Sequence, residues 1–365
     1  MIRTSRAHLN VEAHSHQGMT GKNNEDRYAV ASFRVSEKDH TPVLFAVLAD
    51  GIGGHKGGEV AAELAVNHIM QSVARGDGKF SRHMIEQAVN EASSAIAAHS
   101  AANENLQGMG ATCAIVWIID NKLYTAYVGD SRIYLLRGGR IQQLTVDHSW
   151  VQEAIEKGIL KPEHARDHPN VHVIRRYLGS PVPPEPDFRL NLFDGEGAHH
   201  AENNQGVEIQ PNDVILMCTD GLTDLVWNDE ILEIVRTRPS LKEASRALVN
   251  LANERGGFDN ITVILIGAPS DFKPRNAPRK RNWRWIPWVA GAFAALLFFL
   301  VVASLLTFNL LRRATAVTAT PVLPTAAATE TVPPPPTFTF TPAPEVILPS
   351  PTATITPWPT NTPKP

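Results

Sequence analysis

The sequence predicts an α+β domain in which antiparallel strands and helical hairpins pack in layers, followed by one membrane-spanning helix. Three observations support this prediction: short apolar runs of strand length, paired segments of helical periodicity, and a late stretch without charge. Strands in a meander and helices in hairpins are typical of a layered α+β domain and not of an alternating parallel sheet. The expected boundaries are 1–271 for the globular domain, 272–287 for a basic linker, 288–311 for the membrane helix and 312–365 for a tail.

The predicted strands are short apolar runs that are rich in β-branched residues and bounded by Asp, Gly or Asn. Three of them lie at 43–49, 214–218 and 261–266. Between the first two, residues 112–144 alternate apolar runs with the turn signals DN, GDS and RGG. That alternation predicts a meander.

Helical periodicity appears in two pairs of segments. In the first pair, about 62–73 and 85–96, apolar residues recur along one face. The second pair covers about 229–236 and 241–254, and the SLKE sequence before the latter has the spacing of a capping box. Both pairs predict helical hairpins.

Two polar segments interrupt this pattern. Residues 145–185 contain prolines and four histidines, namely His148, His164, His168 and His172. Their spacing favours a solvated flap, and a histidine metal cluster is the alternative. Residues 194–206 indicate a surface insertion.

The predicted membrane helix rests on residues 289–308, which carry no charge. At about 1.5 Å per residue they span roughly 30 Å, the thickness of bilayer hydrocarbon. Six basic residues precede this stretch and two follow it closely, so the positive-inside rule places the globular domain in the cytosol and the tail outside. A buried core helix is the alternative. The tail is expected to be disordered, because 314–365 hold fourteen of the 27 prolines and fourteen threonines.

Charge is distributed unevenly along the chain. When the eight basic residues of 272–313 and the tail's one Lys and two Glu are set aside, the net charge of −3 becomes −10 for residues 1–271. Such an acidic domain is a poor candidate for nucleic-acid binding and a good one for divalent cations. Cys113 and Cys218 lie in apolar runs, which favours buried, reduced thiols in a cytosolic domain.

Aspartates stand at the ends of the predicted strands. Asp50 follows the first apolar run, Asp220 follows the second by one residue and Asp259 precedes the third, while further aspartates are Asp26 in NNEDRY and Asp130 in GDSR. If these carboxylates converge, they repel one another unless cations compensate them. Oxygen ligands favour Mg²⁺ or Mn²⁺ over Zn²⁺, and two such ions roughly 3.5 to 4 Å apart can hold a bridging hydroxide for attack on phosphorus. A phosphate-binding glycine loop is the rival interpretation of 51–58, but no Gly-Lys-Ser/Thr follows it.

Eight motifs occur in an order that resembles the metal-dependent protein phosphatases of the PP2C type. They are NNED (23–26), ADGIGGHKGGEVAA (49–62), GMGAT (108–112), VGDSRIY (128–134), LTVDHSW (144–150), VIRRYLG (173–179), LMCTDGLTD (216–224) and DNITVI (259–264). The resemblance implies two antiparallel sheets packed face to face and flanked by helical hairpins. It also implies hydrolysis of phosphoserine and phosphothreonine in proteins, opposite serine/threonine kinases, with those kinases and their targets as partners.

The resemblance also assigns metal ligands by position. Asp50 would bridge two Mn²⁺ or Mg²⁺ ions, the carbonyl of Gly51 would bind one of them, and Asp220 with Asp259 would hold the other. Asp130 matches a position that helps to hold a third, looser ion near the flap in bacterial relatives.

The remaining site residues include two departures from the family pattern. Asp26 would orient the attacking water. Gly21 stands where relatives usually carry a phosphate-binding Arg, so Lys22 is the expected substitute. Ile52 stands where animal members often have His, which leaves proton donation to His55 or to metal-bound water. A catalytically weak pseudophosphatase that binds phosphoproteins as a regulator is the alternative function, and the lipid bilayer is a further expected partner.

Overall fold

The computed structural model describes residues 1–53, 57–273, 298–300 and 303–307. The chain divides into two compact units, Met1–Lys280 and Arg281–Pro365. The first unit contains two large antiparallel sheets, a small two-stranded sheet and helices that cover the outer faces of the large sheets. This arrangement confirms the predicted fold class of the globular domain.

The strands of the described residues are numbered along the chain. They are β1 (Ile2–Thr4), β2 (Asn10–His16), β3 (Arg27–Arg34), β4 (Pro42–Ala49), β5 (Gly51–Ile52), β6 (Gly110–Ala111), β7 (Cys113–Ile119), β8 (Lys122–Val128), β9 (Arg132–Arg137), β10 (Arg140–Gln143), β11 (Val207–Glu208), β12 (Val214–Cys218) and β13 (Ile261–Gly267). The first sheet has the order β1-β3-β4-β7-β8-β11 and the second the order β10-β9-β12-β13-β2, while β5 pairs with β6. The predicted meander is present, but its strands are shared between the two sheets.

The helices form the hairpins that the periodicity predicts. They are α1 (Gly57–Arg75), α2 (Arg82–Ala102), α3 (Trp150–Glu156), α4 (Ala198–Asn203), α5 (Asp220–Thr223), α6 (Asn228–Thr237) and α7 (Leu241–Glu254), with 3-10 turns at Glu104–Leu106 and Pro162–His164. Helices α1 and α2 pack against each other, as do α6 and α7. At the start of α7 the Ser240 hydroxyl accepts a hydrogen bond from the Glu243 amide at 3.2 Å, which is the serine half of the predicted capping box.

Alternation along the central strands produces three apolar layers. In β4, Phe45 and Val47 contact the α1–α2 side, whereas Leu44 and Leu48 pack between the sheets. In β12 the same alternation sends Cys218 toward α6 and α7. Because neighbouring side chains of a strand point to opposite faces, strands that are apolar throughout fit between two covered faces. Both cysteines are free and buried.

Two parts of the globular domain differ from the sequence expectations. Strands β1 to β3 were not predicted, because β2 (NVEAHSH) lies at a sheet edge and is only partly buried, so it lacks a continuous apolar run. The predicted surface insertion at 194–206 contains the short helix α4, which is fixed by burial of Ala201.

Within the part of the chain that the structure describes, no helix combines the length and apolar character needed to cross a membrane. The predicted membrane helix at 288–311 lies mostly outside the described residues. The basic linker beyond Lys273 and the tail at 312–365 also lie outside them. These three predictions therefore stay predictions.

Candidate metal centre

The predicted aspartates meet where the two sheets end together. Strand β3 pairs with β4 so that Arg27 lies opposite Ala49, which brings the adjoining Asp26 and Asp50 to the same end of the first sheet. In the second sheet Cys218 pairs with Val263, so the residues after β12 and before β13 share one end. Side chains from the second sheet bond to Asp26, and the two strand ends therefore form one site.

Asp26 is the most deeply enclosed of these carboxylates, with 3% of its surface exposed. Its Oδ2 accepts hydrogen bonds from the hydroxyls of Thr262 at 2.6 Å and Thr219 at 3.0 Å. Its Oδ1 is buried and has no hydrogen-bond partner among the described residues. Burial raises the pKa of Asp26 to about 7, against the two threonine hydrogen bonds and with help from the negative charges of Asp220 and Asp259.

Asp50 is held through its backbone, which leaves its carboxylate free for other contacts. Its amide donates to the Thr112 hydroxyl at 2.9 Å, and its carbonyl accepts from the Thr112 amide at 2.8 Å. The surrounding protein raises the pKa of the Asp50 carboxyl well above its usual range, first by desolvation and then through nearby carboxylates, chiefly Asp26 and Asp220. The site thus gathers more negative charge than it can carry without compensation.

The backbone beside Asp50 is packed so closely that it requires glycine. A Cβ on Gly51 would lie 2.2 Å from the carbonyl oxygen of Gly58 and 2.8 Å from that of Glu25. A Cβ on Gly58 would lie 2.6 Å from the Glu25 carboxylate. Only glycine permits such an approach. His55, one expected proton donor, lies outside the described residues.

Asp130 lies in the turn between β8 and β9, and a buried histidine fixes that turn. The Gly129 amide donates to His148 Nδ1 at 3.1 Å, and the His148 amide donates to the Gly129 carbonyl at 2.9 Å. The opposite ring nitrogen lies 3.3 Å from Asp187 Oδ2. Asp130 Oδ1 is buried without a hydrogen-bond partner in the described chain, and burial followed by the charge of Asp220 raises its pKa well above the usual range.

Asp259 and Lys22 form the exposed rim of the centre. Their side chains are 55% and 61% exposed, and Lys22 Nζ lies 3.8 Å from Asp259 Oδ1. The neighbouring Asn260 is buried and fixes the rim to the amino-terminal loop: its side chain donates to the carbonyls of Gln17 and Asn23, both at 3.0 Å, and accepts from the Glu25 amide at 2.7 Å. The predicted phosphate-binding lysine therefore lies at the centre, paired with a predicted metal ligand.

The sequence reasoning missed Asp224, and it considered His172 only as a member of the alternative histidine cluster. Asp224 Oδ2 lies 3.4 Å from His172 Nδ1, and these two residues and Asp220 place one ligand atom each within 4.8 Å of one another. The DGLTD motif contained the signal, because residues four apart share one face of a helix.

The four flap histidines do not form the metal cluster that was the alternative. His172 faces the centre, whereas His148 contacts Asp187 and His168 stacks on Trp150 at 4.7 Å. Tertiary contacts thus give each of these histidines a separate role.

The donor set fits hard divalent cations. Its oxygens come from clustered carboxylates whose pKa values are raised by burial and mutual repulsion, and two of the buried oxygens, on Asp26 and Asp130, have no hydrogen-bond partner among the described residues. Mg²⁺ and Mn²⁺ prefer such ligands.

Comparisons with known proteins agree with this geometry. The family model described as protein phosphatase 2C matches residues 13–261. The serine/threonine phosphatase stp of Listeria monocytogenes is 32% identical over 273 residues, which cover 74% of this chain and 100% of that protein. The serine/threonine phosphatase structure from S. agalactiae has a TM-score of 0.62 and 29% identity, with 72% of this chain and 100% of that chain covered. The structure of the catalytic domain of PstP in complex with two manganese ions has a TM-score of 0.57 and 32% identity, with 71% of this chain and 97% of that chain covered. The chain belongs to the protein phosphatase 2C family and is a protein serine/threonine phosphatase.

Proposed function

We propose that this phosphatase hydrolyses phosphoserine and phosphothreonine esters in proteins with two Mn²⁺ or Mg²⁺ ions at the carboxylate centre, in signalling opposite serine/threonine kinases. The convergence of Asp26, Asp50 and Asp220 at the common end of both sheets carries this proposal. The PstP relative in complex with two manganese ions supports it.

Each predicted ligand has a part in holding the ions. Asp50, which lies among the other carboxylates, is the residue proposed to contact both ions, with the Gly51 carbonyl, Asp220 and Asp259 completing the set. Asp130 would contribute to a third, looser position. When bound, such ions supply a nucleophile from water near neutral pH and neutralise charge on the phosphoryl group.

Asp26 is suited to orient the attacking water and to hold its proton. The two threonine hydroxyls fix Oδ2, while Oδ1 has no partner in the described chain and can accept a hydrogen bond. The threonines therefore fix the orientation of the Asp26 carboxylate and the direction in which Oδ1 can accept a hydrogen bond.

Lys22 is the proposed contact for the substrate phosphoryl group at the rim. Its ammonium lies beside Asp259 and is exposed, so it can turn toward an incoming phosphate. A lysine acts as a point charge on a flexible stem and lacks the two parallel hydrogen bonds of an arginine. The grip on substrate is accordingly loose.

We also propose that residues 288–311 anchor the enzyme in the cell membrane with the phosphatase domain in the cytosol. The support comes from sequence: an uncharged stretch lies between six basic residues before it and two after it. Protease added outside intact cells should then remove only residues beyond about 312. Loss of the phosphatase domain under that treatment would reverse the topology.

The catalytic proposal is tested by phosphate release from a phosphoserine peptide by the full chain in detergent micelles. Release should require added Mn²⁺ or Mg²⁺ and stop when EDTA removes the cation. A single-turnover experiment with enzyme in excess separates the alternative function. Tight peptide binding without release of phosphate in that experiment would favour a phosphoprotein-binding regulator.

A further inference from the structure

A cavity of about 410 Å³ opens beside the metal centre, on the side of Asp259. We call it the Phe258 cavity, and its lining residues are Arg166, Val171, His172, Gly221, Asp224, Leu225, Phe258 and Asp259. We propose that the Phe258 cavity binds an apolar side chain next to the phosphorylated residue of the substrate. This inference rests on the proposed function and names a substrate class for it.

Phe258 is a large, exposed aromatic residue on a loop whose backbone is hydrogen-bonded to the amino-terminal segment. Its side chain is 65% exposed, although it directly precedes the predicted ligand Asp259. Its ring lies over Gly256, where a Cβ would meet a ring carbon at 2.5 Å. The loop is also held by the Met19 amide, which donates to the Gly257 carbonyl at 2.7 Å. An exposed aromatic side chain on a backbone that is held in place offers a large apolar surface to a partner, as the anchors of protein interfaces do.

The Phe258 cavity lies within reach of the residues that flank a bound phosphoserine. Asp259 belongs both to the proposed metal ligands and to the cavity wall. Consecutive Cα atoms are about 3.8 Å apart, so a peptide whose phosphoryl group reaches the carboxylates places the neighbouring residue over the adjoining cavity. A cavity of roughly 150 Å³ already accommodates benzene, so a Leu or Phe side chain fits in this larger one.

The lining chemistry selects an apolar side chain. Val171, Leu225 and Phe258 supply apolar surface. The charged lining groups already have partners: Arg166 donates to the carbonyls of Thr223 and Asp224, at 2.9 and 2.5 Å, and His172 pairs with Asp224. Asp259 is the proposed cation ligand. A charged side chain would therefore lose hydration without gaining a new partner.

A second cavity borders the centre and shares Arg166, Val171, His172 and Asp224 with the Phe258 cavity. It measures about 470 Å³ and includes Asp147, Trp227 and Asp229 in its lining. The Arg166 guanidinium stacks over the Trp227 ring at 3.7 Å and lines both cavities. Apolar residues such as Val151, Ile155 and Val226 line this second cavity together with the acidic groups, so it sets no opposite preference by itself.

The experiment uses the full chain with Mn²⁺ and phosphoserine peptides that differ only in carrying Leu or Lys immediately before or immediately after the phosphoserine. We expect kcat/KM to favour Leu over Lys by about 10-fold at one of these two positions. Phe258→Ala should remove most of that preference. Phe258→Glu should shift it toward Lys, which a misfolded variant could not do. Phe193→Ala serves as the matched control, because Phe193 is also exposed, at 58%, but does not line the cavity.

Two outcomes would overturn the inference: equal kcat/KM for the Leu and Lys peptides at both positions, or a Leu preference that survives both Phe258 substitutions. Peptide affinities measured by calorimetric titration give the same ratio without turnover. p-Nitrophenyl phosphate, which has no flanking residues, separates this inference from the proposed function. Failure of the wild-type chain to hydrolyse it with Mn²⁺ would count against the phosphatase mechanism, while the affinity ratio would still decide the role of the cavity.

Discussion

The buried interior and the exposed rim of the carboxylate centre are held in different ways. In the interior, hydroxyls from two strand ends fix Asp26 at 2.6 and 3.0 Å. At the rim, Asp259 and Lys22 face each other at 3.8 Å and are more than half exposed. The two environments lie close together in sequence, because buried Thr262 is only three residues beyond Asp259. The interior carboxylate is thus positioned by the protein alone, whereas rim groups are screened by water and can rearrange.

The difference between interior and rim predicts that substitution of an interior carboxylate lowers turnover the most. Asp220→Asn preserves shape but removes one negative charge from the cluster around Asp50. Turnover with Mn²⁺ should fall by at least about 100-fold, because cation affinity and charge stabilisation both weaken. The measurements are kcat on a phosphopeptide and bound Mn²⁺ by calorimetry.

Asp229→Asn provides the matched control for Asp220→Asn. Asp229 is exposed at the start of α6 and lines the neighbouring cavity, but it is not among the proposed ligands. We expect its kcat to stay within about 3-fold of wild type, since exposed charges contribute little. If Asp220→Asn kept both wild-type turnover and wild-type Mn²⁺ content, the interior assignment would be wrong.

A second prediction concerns the threonine that fixes Asp26. Thr262→Val keeps the volume but removes the 2.6 Å hydrogen bond to Asp26 and a contact with the Ser15 hydroxyl at 2.8 Å. The free energy of unfolding should fall by about 1.5 to 3 kcal/mol, because a buried carboxyl loses a donor. Urea unfolding measures the change.

Two variants sharpen the Thr262 prediction. Thr262→Ser retains the hydroxyl and should recover most of the lost stability. Thr237→Val removes an exposed hydroxyl that donates to the Glu233 carbonyl at the end of α6, and should change stability by less than about 0.5 kcal/mol. If Thr262→Val and Thr237→Val lowered the free energy of unfolding equally, the buried hydrogen bond to Asp26 would be no more stabilising than an exposed one, and the prediction would be wrong.

The interior also predicts how stability without cations depends on pH. Asp26 and Asp220 have pKa values of about 7 in the fold, above the ordinary 3.8, because burial disfavours the charged form of both. The charge of Asp224 adds to the rise for Asp220, whereas the Thr262 and Thr219 hydrogen bonds oppose it for Asp26. A raised pKa means that the folded state binds the proton more tightly. The resulting stability is present below the unfolded pKa and is lost as pH rises through about 7.

In EDTA, Asp26→Asn should therefore gain stability relative to wild type as pH rises from about 5 to 8. Other groups titrate in both proteins, so the difference between the stabilities of variant and wild type reports on Asp26 alone. Thermal unfolding at several pH values measures it, and Mn²⁺ at pH 8 should shrink the gain because bound cations compensate the charge of Asp26 in wild type. Parallel stability curves for the two proteins would argue against the raised pKa.

The same contrast explains what could be predicted from sequence. The strands that carry Asp50 and Asp220 are continuous apolar runs, and helix α7 has its cap and its apolar face in the sequence, so local rules were sufficient there. Their convergence was different: the residues gave an aspartate at each strand end, but only the family resemblance implied that these ends meet. Register across two sheets depends on contacts far apart in the chain.

Polar residues whose role depends on tertiary burial could not be predicted. His148 was placed in a solvated flap, yet it is 5% exposed and fixes the turn of Asp130. A lone histidine in a polar segment gives no sign of such burial, because the carboxylate that faces it, Asp187, lies 39 residues further along the chain. Edge strand β2 escaped prediction for the related reason that its side chains are only partly covered.

The smallest predicted effect belongs to the rim. Lys22→Ala removes an exposed point charge, and such a charge is worth at most about 1 kcal/mol, so the KM for phosphopeptides should rise by about 2- to 5-fold with little change in kcat.

Gly21 has a φ of +76°, and although nothing lies within 4 Å of a Cβ there, any other side chain would be strained by about 1 kcal/mol. Restoring the family arginine at position 21 is therefore a poor test. Lys22→Arg avoids that strain and should lower KM, because a guanidinium can grip phosphate with two hydrogen bonds. Steady-state kinetics on these two Lys22 variants decides the matter: a KM for Lys22→Ala within error of wild type would remove the phosphate-contact role and leave the cation ligands as the sole proposed grip on the phosphoryl group.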